Sequence, residues 1–234
     1  MNAPPPSAGL EDYQKDFIRF LLSEKALRFG EFTLKSGRVS PYFVNLGHFD
    51  EGASLRRLGG FFARRARAAF GNGFDILFGP PYKGISLAVA CALAFDEIFG
   101  ESHPFAFNRK EAKGHGDKGL FVGRPPGPGD RALLLDDVFT TGATKEEAVD
   151  LLEKAGARAA GVLIAVDRSE AGPDGTSAIA EFTASRGVPV TSIVTIHDIV
   201  RFLHGVEIDG EVVVDDAVAG RVRAYLDAWG APSP

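Results

Sequence analysis

The chain has 234 residues, of which 45% are hydrophobic and 24% charged, an ordinary balance for a globular protein able to bury a sizeable core. Its formal net charge of −5 exerts no overall pull toward nucleic acid or an anionic membrane, so any site for a polyanion must be local. A single cysteine, Cys91, excludes an internal disulfide and a thiolate metal cluster, and the five histidines have no HExxH or related ligand spacing. The opening MNAPPPSAG lacks the basic and apolar segments of a signal peptide, and no apolar run approaches the ~18 residues of a membrane span. These features lead us to expect a cytoplasmic protein that binds neither membrane nor nucleic acid.

In chain order, the Pro-rich residues 1–10 are expected to be a disordered extension and residues 231–234 a disordered tail. No internal repeat or linker divides residues 11–230, which read as one domain. Phe17, Ile18, Leu21 and Leu22 recur at helical spacing within residues 12–27, after which 31–34 and 41–46 look like two short strands joined by the turn Ser36-Gly37-Arg38. Residues 11–53 therefore form a helix plus a hairpin. Beyond them the pattern alternates: helix 54–70, strand 75–78, helix 84–95 after a Gly-Pro-Pro turn, strand 131–135, helix 145–155 stopped by Gly156, strand 161–166, strand 190–196 and a short helix 198–203. Continuous Val/Ile/Leu strands separated by helices imply an α/β fold, a mostly parallel sheet flanked by helices on both faces. In such sheets ligands bind at the carboxyl ends of the strands.

At one such end stands LLLDDVFTTGAT, residues 133–144. Asp136 and Asp137 could simply cap the next helix, but Thr144-Lys145-Glu146-Glu147 already has the spacing of a capping box, which leaves the two carboxylates surplus. Thr140, Thr141, Gly142 and Ala143 are small enough for backbone amides to converge ahead of a helix N-terminus, a cradle for a phosphate monoester. A pair of acceptor-only carboxylates just upstream suits the vicinal hydroxyls of a sugar. Ribose phosphate is the ligand this spacing fits; an ordinary polar strand end is the alternative.

Arg109, Lys110, Lys113, His115 and Lys118 crowd ten residues of a Gly-containing stretch, 108–120. Any one of them could be a solvated surface charge, but together they resemble a mobile cationic flap. Ordering it costs about 1–2 kcal/mol per residue, and charge-assisted hydrogen bonds return about 1.5–3 kcal/mol each, so a diphosphate offsets the cost better than a lone phosphate. GPPYKGIS puts Lys83 before its second glycine, the wrong order for a P-loop, and GHGDKG follows charged residues instead of a strand.

Strand, Asp-Asp, apolar pair, Thr-Thr-Gly, small residue, Thr resembles the binding motif for 5-phosphoribosyl 1-diphosphate (PRPP) of the type I phosphoribosyltransferases. FGEFTLKSGRVSPYFVN, FGPPYKGI, FNRKEAKGHG and GVLIAVDRSEAG extend the resemblance over nearly the whole chain to the orotate phosphoribosyltransferases. The resemblance implies the type I fold, with residues 11–53 as a hood and 108–120 as a closing loop. It implies PRPP contacts from Lys35, Tyr82, Lys83, Arg109, Lys110, Lys113, His115, Asp136, Asp137, Val138, Phe139, Thr140, Thr141, Gly142, Ala143 and Thr144, and orotate contacts from Lys35, Phe43, Val44, Thr140 and Arg168. Lys35, Lys113, His115, Asp136 and Asp137 would be the catalytic set. Mg²⁺ would be held mainly by PRPP and water, not by protein side chains, and a homodimer would carry each loop to the neighbouring site. Three positions depart from the family's pattern: Ala143; Phe139, which bears on how the loop packs; and Val44, which stands where an aromatic is common and where the family's contact is through the main chain.

Arg168 follows an apolar strand and so should emerge at the same sheet edge as Asp136, where a guanidinium can grip a planar carboxylate such as orotate's through two bonds. An ion pair with Asp167 or Glu170 is the alternative, as hairpin packing is for Tyr42 and Phe43. A purine or uracil transferase, or a PRPP-binding regulator without turnover, would use the same PRPP loop. The Arg-rich helix 56–67 is the one candidate for a regulator's binding face, and its spacing equally fits a solvated surface.

Overall fold

The computed structural model describes residues 9–34, 37–109, 119–172 and 175–231. Helix α1 (Asp12–Ser23) opens on a capping box between Glu11 and Gln14 and buries Phe17, Ile18, Phe20 and Leu21. It stops before residue 27, short of the expected end. Lys25 takes a left-handed conformation with φ 54°, and the chain then enters β1 (Leu27–Thr33), whose Leu27 pairs with Val44 of β2 (Val39–Val44) in an antiparallel ribbon. Cross-strand pairing overrides helical continuation there. Lys35 lies outside the described residues.

The remaining elements are α2 (Gly52–Phe70), β3 (Ile76–Phe78), α3 (Lys83–Phe99), β4 (Phe105–Asn108), β5 (Phe121–Gly123), β6 (Arg131–Val138), α4 (Ala143–Lys154), β7 (Arg158–Asp167), α5 (Ala178–Arg186), β8 (Val190–Thr195), α6 (Ile196–Leu203), a two-stranded β9 (Glu207–Ile208) and β10 (Glu211–Val212), and α7 (Asp216–Trp229). The main sheet has the order β5-β4-β3-β6-β7-β8, parallel except for β5. This is the expected mostly parallel sheet between helices. Sequence periodicity does not reveal β4, β5, α5, β9, β10 and α7: β4 and β5 are four and three residues long, β9 and β10 two each, and α7 buries only Ala219, Val222 and Tyr225. Too few apolar positions recur in them to set a period.

The chain leaves β3 toward β4 on one side and later returns to lay β6 on the other. Strand order therefore reverses between β3 and β6, and a crevice opens beyond their carboxyl ends. Side chains alternate along β6 as the pleat requires. Leu133 and Leu135 enter the core with α2 and α3, whereas Ala132 and Leu134 enter the one with α4 and α5.

At the opposite end of these strands, Arg131 Nε and Nη2 donate to Asp75 at 2.8 and 2.7 Å, and its amide donates at 3.0 Å. Those bonds hold the Asp75 carboxyl down, from an ordinary 3.8 to about 2. A carboxylate lowered on folding stabilises the fold above its unfolded pKa and loses that contribution as pH falls through the folded one. Asp75→Asn should lower the melting temperature above pH 4 by no more than about 4 °C, since the pair is partly exposed, and melting curves of the two proteins should converge as pH approaches 2.

Candidate active site

Alternation along β6 continues into the acidic pair and sends its carboxylates to opposite faces of the sheet. Asp136 falls on the α4 side, where it forms an ion pair with Lys145; Asp137 falls on the α3 side, where it pairs with Lys83, the first residue of α3. Each carboxylate also caps the backbone locally, Asp136 Oδ1 accepting from the Asp137 amide at 2.9 Å and Asp137 Oδ1 from Val138 at 2.8 Å. All four oxygens thus have a protein partner. The lysines differ in freedom: the Lys83 side chain is 47% exposed and the Lys145 side chain 7%. Lys145 Nζ also donates to the Val138 carbonyl at 2.9 Å and lies 5.4 Å from the centre of the Phe139 ring. Burial lifts the Asp136 carboxyl above the usual carboxylate range, with Lys145 pulling it back down.

Past Val138 the chain turns into α4. Gly142 stands at its N-cap with φ 81°, and its carbonyl accepts from the amides of Lys145 and Glu146. The helix consequently begins at Ala143 and no side chain caps it, so the expected capping box from Thr144 to Glu147 does not form: Thr144 is already inside the first turn. Among the described residues, the backbone amides from Thr140 to Thr144 donate to no protein acceptor. Thr140, Thr141, Ala143 and Thr144 are exposed. These free donors, at the positive end of a helix dipole, make an anion cradle.

Phe139 turns inward beneath the cradle, 8% exposed, its ring edge-on to Phe182 of α5 at 5.4 Å. This accounts for an aromatic at that position: it is the loop's anchor. A Cβ added at Gly142 would stand 3.0 Å from that ring, on a backbone that side chains avoid. Gly142→Ala should therefore weaken phosphate binding at the cradle about tenfold and destabilise the protein by about 1–3 kcal/mol, measurable by titration calorimetry and thermal melting.

On the β3 side of the crevice, Gly84 lies so close to β6 that a Cβ would fall 2.6 Å from the Leu135 carbonyl. That contact seats the first turn of α3, with Lys83, against the strand carrying Asp137. Tyr82 precedes it, 70% exposed. Farther along, the Arg109 amide donates to the Leu120 carbonyl at 2.8 Å and its Nη1 to the Gly119 carbonyl at 3.2 Å, closing the neck of the basic stretch at the end of β4. Lys110, Lys113 and His115 lie outside the described residues.

Arg168 emerges one residue beyond β7, whose Val166 pairs with Val138, so it shares the sheet edge of the acidic pair. Its side chain is 11% exposed, and Nη2 donates to Glu170 Oε1 at 2.6 Å, the ion pair weighed as the alternative for this residue. Nε is buried without a partner. Tyr42 is wholly buried, its hydroxyl 2.8 Å from the Arg168 carbonyl, which docks the hairpin beside that residue. Phe43 stacks on Phe32 at 5.4 Å, and Val44 is buried opposite Leu27. Their side chains are hairpin packing.

The structure thus gathers Lys83, Asp136, Asp137 and the 140–144 amides at one crevice, with Arg168 on the same edge and the Arg109 neck at the end of β4. Lys145 escaped the sequence reading because a lysine in the first turn of a helix is usually solvated; Glu170 entered it only as a possible partner of Arg168.

A family profile for the phosphoribosyl transferase domain matches residues 49–183. The chain is 50% identical to the orotate phosphoribosyltransferase of Pseudomonas fluorescens over 222 residues, which cover 94% of this chain and 100% of that one. It is 40% identical to that of Lachnoclostridium phytofermentans over 222 residues, 94% and 99% of the two chains. The crystal structure of orotate phosphoribosyltransferase from Francisella tularensis superposes with a TM-score of 0.79 at 33% identity, covering 92% of this chain and 100% of that one. No helix among the described residues is long and apolar enough to cross a membrane. This chain belongs to the phosphoribosyltransferase family, and within it to the orotate phosphoribosyltransferases.

Proposed function

We propose that the chain transfers the 5-phosphoribosyl group of PRPP to orotate, forming orotidine 5′-monophosphate and pyrophosphate in pyrimidine biosynthesis. The observation that carries this reading is the junction of an unsatisfied amide cradle with two buried carboxylates at the point where strand order reverses. Amides 140–144 and the hydroxyls of Thr140, Thr141 and Thr144 hold the 5-phosphate, while Asp136 and Asp137 accept from the ribose hydroxyls. Val138, Phe139, Gly142 and Ala143 shape that loop. Lys83 is exposed enough to leave Asp137 and turn, with Tyr82 and Arg109, toward the diphosphate.

Among the described residues no three metal-ligating side chains converge, and every oxygen of the acidic pair already has a protein partner. A Mg²⁺ would be held here mainly by diphosphate oxygens and water, with Asp137 the side chain that would reach it once Lys83 moved. Bound there, it would supply positive charge to the departing pyrophosphate. Orotate's ring nitrogen bonds to the anomeric carbon as the bond from that carbon to the diphosphate oxygen breaks, so no covalent enzyme nucleophile is needed. Lys110, Lys113 and His115 act on the leaving group from the basic loop, with Lys35 between the two substrates. Arg168 grips the orotate carboxylate, beside the main chain at Phe43 and Val44 and near Thr140. The enzyme works in the cytoplasm as a homodimer whose basic loops cross to the partner's site.

The test follows orotate's ultraviolet absorbance with PRPP and Mg²⁺, with adenine, hypoxanthine and uracil in parallel. Loss of absorbance dependent on PRPP and metal, with the other bases inert, is the expected result. PRPP binding without turnover of any base would instead favour a regulatory role.

A further inference from the structure

The family profile ends at residue 183 and begins at residue 49, yet the segment 168–171 is held from both sides by elements outside those limits. From the hairpin, Tyr42 Oη donates to the Arg168 carbonyl at 2.8 Å and Arg38 Nη1 to the Ala171 carbonyl at 3.0 Å. From the C-terminal end, the Ala171 amide donates to the Trp229 carbonyl and the Ala231 amide to the Ser169 carbonyl, each at 2.8 Å. At the centre of this lacing one oxygen, Glu170 Oε1, accepts from Arg168 Nη2 at 2.6 Å and from the Tyr225 hydroxyl of α7 at 2.9 Å, with the Tyr42 hydroxyl at 3.3 Å.

We propose that Glu170 is the positioning residue for Arg168 and that Tyr225 holds Glu170 in place, so that the C-terminal helix α7 takes part in selecting the base. An arginine side chain has four rotatable bonds, and a free guanidinium in a wet crevice would visit many orientations. Here Glu170 holds one end of the group, and the Tyr42 ring lies 5.5 Å from the guanidinium carbon. Nε remains without a partner. Holding the guanidinium in one orientation through Nη2 sets the group before a carboxylate-bearing ring arrives, which is how preorganisation raises affinity without adding a contact. Burial and the Glu170 carboxylate push the Tyr225 hydroxyl up to about 12, so it remains a proton donor to Glu170 at neutral pH.

This inference rests on the assignment of Arg168 to orotate, and steady-state kinetics with each substrate varied in turn separates the two. Arg168→Ala tests the assignment: it should raise the orotate KM about a hundredfold. Glu170→Ala should raise it about tenfold with the PRPP KM changed less than about twofold, and Glu170→Gln, which keeps an acceptor oxygen, should recover part of the loss. The double variant Arg168→Ala, Glu170→Ala should be no worse than Arg168→Ala alone, because Glu170 acts through Arg168. Tyr225→Phe, a change of one hydroxyl, should raise the orotate KM about threefold with little change in melting temperature, and it carries the test if Glu170→Ala does not fold. An unchanged orotate KM in Arg168→Ala would remove the assignment and the positioning role with it. A raised KM in Arg168→Ala with none in Glu170→Ala and Tyr225→Phe, or losses that affect both substrates equally, would overturn the positioning role alone.

Discussion

Asp137→Ala is expected to lower kcat/KM for PRPP by about 10²–10⁴ while the melting temperature falls by only about 2–4 °C. Two charge-assisted hydrogen bonds to ribose hydroxyls, at about 1.5–3 kcal/mol each, amount to about 3–6 kcal/mol, and each ~1.4 kcal/mol is a factor of ten. The cost in stability is confined to the lost hydrogen bond from the Val138 amide, about 1 kcal/mol, because the partner left behind, Lys83, is half exposed and returns to water. Steady-state rates with PRPP varied at saturating orotate, together with a thermal melt, test both halves. An unaltered kcat/KM would remove Asp137 from the sugar.

The neighbouring acid behaves in the opposite way. Lys145→Met leaves Asp136 buried without its cation, and breaking a buried pair by removing one partner costs about 3–5 kcal/mol. At about 2–4 °C per kcal/mol for a chain of this size, the melting temperature should fall by roughly 6–20 °C. The loss should depend on pH. Burial already lifts the Asp136 carboxyl, and without Lys145 the lift grows. A carboxyl raised on folding contributes stability below its unfolded pKa and loses it as pH rises through the folded one, so the deficit is largest at neutral pH and shrinks as pH falls toward the carboxylate range. Asp137 and Lys83 are the other charges at this strand end and are common to both proteins. Adding Asp136→Asn to Lys145→Met should restore part of the stability at neutral pH. A deficit that is flat with pH would mean that Lys145 stabilises by packing over Phe139 alone.

These two outcomes differ because of where each carboxylate points, something the adjacent letters D-D do not distinguish. Read along the chain, Asp136 and Asp137 are equivalent surplus acids ahead of a phosphate loop. In the fold, one is locked to α4 and the other latched to α3, 54 residues earlier in the chain. Gly142 shows the same limit on a smaller scale. The Thr144–Glu147 spacing is that of a capping box, but a glycine at positive φ starts the helix at Ala143 and puts Thr144 beyond the capping position.

By itself the sequence determined the alternation of strands and helices, the hairpin ahead of them and the place of the anion cradle, since each is written in residues close together in the chain: apolar periodicity, turn residues, and a run of small residues after a buried strand. Short edge strands and the weakly apolar α7 lacked enough repeats to register. Only the tertiary structure decided which residues meet across the sheet. The reversal of strand order between β3 and β6 brings Lys83 to Asp137, the pleat of β6 assigns Lys145 to Asp136, and the return of α7 places Tyr225 on Glu170. Such partners are tens of residues apart in the chain, and no local period encodes them; they follow from burying both faces of one sheet.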